Sequence, residues 1–278
     1  MAGGGRPPPA AKIRERIMSK QGMRSVAAGM VLVALGVAAC GYDNKGGYGP
    51  TNPVNAQVVT GSGDLAAVLT QFRTLLGGDS ANRVAGQQAS GRREINWDGV
   101  NGAILNSDNF PADQFNRVVP RGQIFATPGT GLRVSDNAFF DIEPTDSTQF
   151  RAFSPSKIFI AVGSPIIDVG FRVAGTDSVA AVNGFGVIFS DVDLAGSATL
   201  EYFDASGQSL KTVTVPVRTD ANGHSFAGAV FDQTIVAKVR ITAGQAPIAA
   251  GVKDISAGGT SDLVATDDFI AGEPHPIQ

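Results

Sequence analysis

Three acidic motifs stand out among the residues able to do chemistry: Trp97-Asp98-Gly99, Asp191-Val192-Asp193 and Asp267-Asp268. Each falls where an extended run gives way to loop residues. Carboxylates gathered at such ends suit calcium, which takes about six to eight oxygen ligands and tolerates irregular loops. Asp191 and Asp193, two apart on an extended segment, would project the same way and offer two oxygens to one ion. Aspartates in these places also cap turns by accepting from nearby backbone N–H groups, and that role competes with ligation at each of them. No stretch follows the EF-hand loop pattern.

Catalytic chemistry is sparse. His224 lies beside the turn Asn222-Gly223 and His275 in a Pro-containing tail, neither near a nucleophile motif, and no Gly-x-Ser-x-Gly is present. Two histidines so far apart make a poor zinc pair. The chain therefore reads as a non-enzyme. Carboxylates alone suffice for glycoside hydrolysis, so Glu94, Glu143, Glu201 and Glu273 keep a glycoside hydrolase as the lesser alternative. Trp97, Tyr202 and the phenylalanines raise the question of sugar binding on aromatic platforms. Trp97 sits in the strand-like run Ile95-Asn96-Trp97, however, and reads first as core. Gly184-Phe185-Gly186 opens no helix and is expected to bend a strand rather than cradle a phosphate.

The elements that must position these residues follow an export segment. Residues 12–24 are basic and polar, and the run VAAGMVLVALGVAAC from Val26 to Cys40 is apolar or small. It is shorter than the roughly 20 apolar residues of a comfortable membrane span, and the combination is that of a secretory signal. Val37-Ala38-Ala39-Cys40 resembles the bacterial lipobox. The resemblance implies that the Cys40 thiol receives a diacylglycerol, that residues 1–39 are cleaved away, and that acyl chains then hold the protein to the membrane. Gly41, where an aspartate would favour the inner membrane, points to the outer one, with Asp43 nearby; periplasmic and surface faces both stay open. MAGGGRPPPAAKIRER is long for the start of a signal, so Met18 and Met23 are alternative starts.

Cys40 is the single cysteine among 278 residues, which leaves the exported domain without an internal disulfide. Of the 22 basic and 25 acidic residues, six basic and one acidic lie in residues 1–39, leaving 16 and 24, a net charge of −8. An acidic domain repels phosphate backbones, which excludes nucleic acid as an expected partner and suits a cation binder.

Residues 40–63 are rich in Gly, Asn and Pro and read as a flexible tether. The domain is expected over residues 64–278. Asp64 looks like the N-cap of a helix in which Leu65, Val68, Leu69, Phe72, Leu75 and Leu76 form one stripe, stopped by Gly77-Gly78. Beyond it come short β-branched and aromatic runs such as KIFIAVG, HSFAGAVF and LVATDDFIAG, separated by turn residues. Ala198 to Val215 reads as a hairpin turning at Asp204–Gln208, with Val213 and Val215 on one face and Thr212 and Thr214 on the other. Strands without intervening helices predict an all-β, jelly-roll-like two-sheet sandwich carrying one N-terminal helix.

Gly91-Arg92-Arg93-Glu94-Ile95-Asn96-Trp97-Asp98-Gly99-Val100, Pro120-Arg121-Gly122 and Thr127-Pro128-Gly129-Thr130-Gly131 resemble a group of uncharacterised bacterial secreted proteins and lipoproteins. Val182-Asn183-Gly184-Phe185-Gly186 through Asp191-Val192-Asp193, and Asp267-Asp268-Phe269-Ile270-Ala271-Gly272-Glu273-Pro274, match the same group. The resemblance implies a secreted jelly-roll-like domain and brings no activity with it. Similarity to sandwich modules that hold calcium between their first and last strands would group Asp98 with Asp267 or Asp268. The expectation is a lipid-anchored envelope protein with a non-catalytic module for glycan or another ligand. The alternative is a structural or assembly lipoprotein that contacts protein partners.

Overall fold

Hydrophobic runs punctuated by turns give two packed sheets in the computed structural model, which describes residues 54–277 and, apart from them, Met1 and Gly3. Cys40 and the residues Val37, Ala38 and Ala39 before it lie outside the described residues. In chain order the elements are β1 (Ala56–Ser62), helix α1 (Ala66–Leu76), β2 (Arg92–Ile95), β3 (Gln123–Ala126), β4 (Gly131–Ser135), β5 (Ile158–Val162) and β6 (Ile166–Arg172). There follow β7 (Val179–Ala181), β8 (Gly184–Ser190), β9 (Thr199–Phe203), β10 (Ser209–Thr214), β11 (His224–Phe231), β12 (Lys238–Thr242), β13 (Ala265–Gly272) and β14 (His275–Pro276).

One sheet has the order β1-β11-β8-β13-β5-β4, with β2 also on β13. The other runs β10-β9-β12-β6-β7-β14, with β3 also on β6. From β5 onward the chain passes repeatedly from one sheet to the other, the jelly-roll-like sandwich that the strand pattern predicts. The hairpin β9–β10 forms as expected: Asp204 Oδ1 accepts from the N–H groups of Ser206 (2.8 Å) and Gln208 (2.9 Å). Val213 and Val215 are buried while Thr212 and Thr214 are exposed.

The expected tether ends too late. Residues 56–62 are an edge strand, β1, paired with β11 from Ala56↔Phe231 to Ser62↔Ser225. The segment AQVVTGS has one buried side chain, Val59, so little apolar text marks it; its place is set by backbone pairing to a partner about 170 residues away. The folded domain therefore begins before residue 64.

The helix packs as its stripe predicts. Leu65, Leu69, Phe72 and Leu76 are buried against Val59, Ile188, Phe226, Val230 and Ile270 on the outer face of the first sheet. Asp64 Oδ1 accepts from the Ala66 N–H at 3.0 Å, one residue ahead of the cap position held by Leu65, and Gly77 at φ 81° ends the helix. The first sheet is thus covered on both faces, and β8 is buried along its whole length. In the second sheet β6 alternates buried and half-buried residues.

Gly184 and Gly186 lie inside strand β8 and open no helix, as the sequence led us to expect. They sit in its paired run and leave room for the helix: a Cβ on Gly184 would lie 2.8 Å from Leu76 Cδ2, and one on Gly186 2.9 Å from the Phe72 ring. Between the sheets lies the main core, with Trp97 at the centre of an aromatic group, stacked on Phe159 at 4.0 Å and edge-on to Phe269 and Phe115.

Candidate metal centre

β8 ends at Ser190, and Asp191 turns the chain there with a φ of 70°. The segment after it is held by Asp262, whose Oδ2 accepts from the N–H groups of Asp193 (3.0 Å) and Leu194 (2.7 Å) and from the Ser197 hydroxyl (2.6 Å). From another loop comes Asp254, capping the short turn Ile255–Ala257. Its Oδ1 accepts from the Ser256 N–H at 2.7 Å and its Oδ2 from the Leu263 N–H at 2.8 Å.

These segments bring Asp191, Asp193 and Asp254 together, one carboxylate oxygen from each lying within 4.8 Å of the others. Two oxygens each about 2.4 Å from one ion are at most about 4.8 Å apart, so the spacing suits a shared calcium. Asp191 and Asp254 are fully buried. Arg218 faces the group, its Nε 2.7 Å from Asp191 Oδ1 and 2.5 Å from Asp193 Oδ1. Asp262 and Asp146, both fully buried, add to the same field.

One guanidinium does not balance these acids. Asp191 Oδ2, Asp193 Oδ2, Asp262 Oδ1 and both oxygens of Asp146 are buried without a hydrogen bond, an arrangement costly for a charged carboxylate. Burial pushes Asp191 up to about 7 against the pull of Arg218, with Asp193, Asp254 and Asp262 adding repulsion. Burial likewise raises Asp146 to about 7, helped by Glu143 and Asp254. Asp262 is raised by burial, and its hydrogen bonds oppose the rise. The group can take up protons or a cation.

The sequence reading pairs Asp191 with Asp193, and the structure brings their carboxylates together through a left-handed turn and a shared arginine rather than along an extended segment. Asp254, Asp146, Asp262 and Arg218 were missed. Each resembles an ordinary turn residue in sequence, and only Asp254-Ile255-Ser256 carries a local signal, that of a cap.

Asp98, Asp267 and Asp268 are not part of the trio. The Asp98 carbonyl accepts from Lys157 Nζ at 2.6 Å. Asp267 lies at a register shift in β13 between Thr266 and Phe269, which leaves consecutive acids both buried. Its carbonyl accepts from Trp97 Nε1 at 2.8 Å and its carboxyl from the Phe153 N–H at 2.5 Å. Burial, then the neighbouring Asp268, drives the Asp267 carboxyl up, and burial raises Asp268 as well. Asp98 and Asp267 are thus neighbours through Trp97, in a structural knot.

The other candidates are occupied. Trp97 is fully buried, as its run implies, and Tyr202 is buried with its hydroxyl donating to the Phe185 carbonyl at 2.7 Å. His224 Nε2 is 2.9 Å from the Arg151 carbonyl oxygen, and burial lowers its pKa. Glu94 binds Arg73 and Arg92, and Glu201 accepts from the Ser209 hydroxyl. Glu143 caps the turn Pro144–Thr148, and Glu273 is buried in an ion pair with Arg93.

The fold and this group define a β-sandwich with a buried acidic centre at one end of its first sheet. No protein-family model matches the chain, and no curated protein matches it. Among solved structures it is similar to the enzymatically active domain of tailspike protein 4 of bacteriophage CBA120, at 13% identity and a TM-score of 0.18. The match covers 51% of this chain and 21% of that one, and likeness at this level carries no argument about function. Among the described residues no helix is long and apolar enough to cross a membrane.

Proposed function

We propose that the protein is a lipid-anchored cell-envelope protein whose sandwich is a non-catalytic, calcium-binding module for a glycan or another envelope ligand. The observation that carries the calcium is the excess of carboxylates, buried at Asp191, Asp254, Asp262 and Asp146 and half-buried at Asp193, over the guanidinium of Arg218 that faces them among the described residues. Oxygen ligands without a thiol or imidazole among them favour a hard cation. The anchor at Cys40 and an outer-membrane address rest on the export segment. A non-catalytic role is supported by the placement of the described glutamates and histidines, each engaged in a cap, an ion pair or a hydrogen bond.

With Trp97 and Tyr202 buried, Phe140 (55% exposed) and Phe153 (38%) are the most exposed aromatic side chains among the described residues that could meet a ligand. Calorimetric titration of the full chain, purified in detergent, with calcium chloride tests the reading. Saturable binding that Asp191→Asn abolishes supports it; absence of binding by the wild-type chain removes the cation. A glycan array with the calcium-loaded protein separates a glycan module from a lipoprotein that contacts only proteins. Cys40→Ser, followed by membrane fractionation, tests the anchor.

A further inference from the structure

We infer that the cation fastens a two-segment cover over the outer face of β5, so that calcium controls access to an apolar surface. This rests on the cation reading above. Residues 136–157 and 243–264 form no strand pairing with each other and hold only the short turns Pro144–Thr148 and Ile255–Ala257 with isolated bridges. Beneath them lies a separate apolar cluster that includes Phe139, Phe150, Ile158, Ile160, Ile248 and Leu263. α1 covers the other part of the same sheet through its own cluster, so among the described residues these segments seal this region.

The acidic centre stands where the cover meets the sheet. Asp191 and Asp193 belong to the segment leaving β8, Asp254 to the second cover segment, and Asp146 to the first. An ion held by the trio bonds the second cover segment to the end of β8. Asp191 is fully buried with Oδ2 unpaired, and Asp146 is fully buried with neither oxygen paired, so the acids point to a missing positive charge. Other ties fix the cover at particular points: Asp262 Oδ2 accepts from the Asp193 and Leu194 N–H groups, Asp141 pairs with Arg133, and the Phe153 N–H donates to Asp267 Oδ2. Elsewhere the contacts are single hydrogen bonds. Gly251 N–H donates to Glu143 Oε2 at 3.0 Å, the Ser256 hydroxyl to Gln149, Arg151 N–H to Ser190 Oγ at 2.9 Å, and Asn222 Nδ2 to the Thr148 carbonyl at 2.7 Å. With the cation removed, carboxylates from three segments repel one another across the joint, and the stretches between those fixed points are the ones free to yield.

Hydrogen exchange read by mass spectrometry on the full chain in detergent, with calcium and after chelation, tests this. The expected result is an increase of about tenfold or more in exchange across residues 138–152 and 246–257, with β8 and β11 unchanged. Wild-type protein suffices, and Asp191→Asn in calcium should reproduce the chelated pattern. Calcium binding by calorimetry with unchanged exchange overturns the fastening and leaves the cation reading standing. A uniform rise over the whole sandwich also overturns it, since the ion would then hold the entire fold. No calcium binding and no change in exchange sink both readings.

Discussion

Arg93 and Glu273, 180 residues apart in sequence, form a two-pronged ion pair inside the protein: Nε to Oε2 at 2.7 Å and Nη2 to Oε1 at 2.8 Å. Neither side chain reaches solvent appreciably. The guanidinium also donates to backbone carbonyls, among them Pro120 at 3.2 Å and Gly86 at 3.0 Å. Three of the sequence motifs, around Arg93, Pro120 and Glu273, thereby meet at one guanidinium.

Removing one partner leaves a buried charge alone, at a cost of about 3–5 kcal/mol. Glu273→Gln is accordingly expected to lower the unfolding free energy by an amount in that range, read as a lower urea midpoint with an unchanged slope. Arg93→Lys should not preserve stability, because an ammonium cannot reproduce the planar fork. A midpoint within experimental error of wild type for either variant would show that the pair contributes little.

Gly186 and Gly228, paired across β8 and β11, make the slot for Phe72. A Cβ on Gly228 would sit 2.6 Å from Phe72 Cε2, and one on Gly186 2.6 Å from Phe226 Cζ. Gly228→Ala should cost about 1–3 kcal/mol through overpacking. In the double variant with Phe72→Leu the penalty of the alanine should shrink, a non-additivity that a double-mutant cycle of denaturation midpoints measures. Strict additivity would mean that the helix does not seat on these glycines.

Arg218 occupies the acidic centre as its resident positive charge, so it competes with any added cation. Arg218→Gln is expected to tighten calcium binding by about tenfold, about 1.4 kcal/mol, while lowering the melting temperature in chelator. Asp193→Asn should weaken binding by a similar factor. Calorimetry on both variants decides; weaker binding in Arg218→Gln would assign the arginine a supporting part instead.

The acids also set a pH dependence. Asp191 and Asp146 stand at about 7 in the folded protein against an ordinary 3.8. Between these values the folded state holds protons that the unfolded chain has released. The contribution to stability is full below about pH 4 and is lost as pH rises through about 7. In chelator the melting temperature should fall from about pH 5 to about pH 8. Saturating calcium should flatten that fall by binding the deprotonated carboxylates. Part of the fall should persist in calcium, because Asp267 is raised by burial at a separate place. Asp267→Asn should remove that remainder. Identical pH profiles with and without calcium would detach the acidic group from the ion.

The periodic text and its turns made much of the fold legible. The stripe of α1, the hairpin β9–β10 and the runs that became β5, β11 and β13 depend on local alternation and turn chemistry, which a linear reading detects. β1 escaped because an edge strand with a single buried side chain carries almost no hydrophobic pattern. The space that Gly186 leaves was not legible because what fills it is a ring of a helix more than 100 residues earlier.

By itself the sequence determined the all-β class, the helix and its buried face, the core placement of Trp97, the acidity of the domain and the nearness of Asp191 to Asp193. Those properties follow from composition and from residues a few positions apart. The tertiary structure alone decided that Asp254 completes the trio, that Arg218 faces it, and that Asp98, Asp267 and Asp268 stand apart. A cation centre is defined by oxygens within a few ångströms, and here they come from segments about 60 residues apart. No local spacing encodes such a meeting; it is set by which strands pair and which loops the sheets bring to one end.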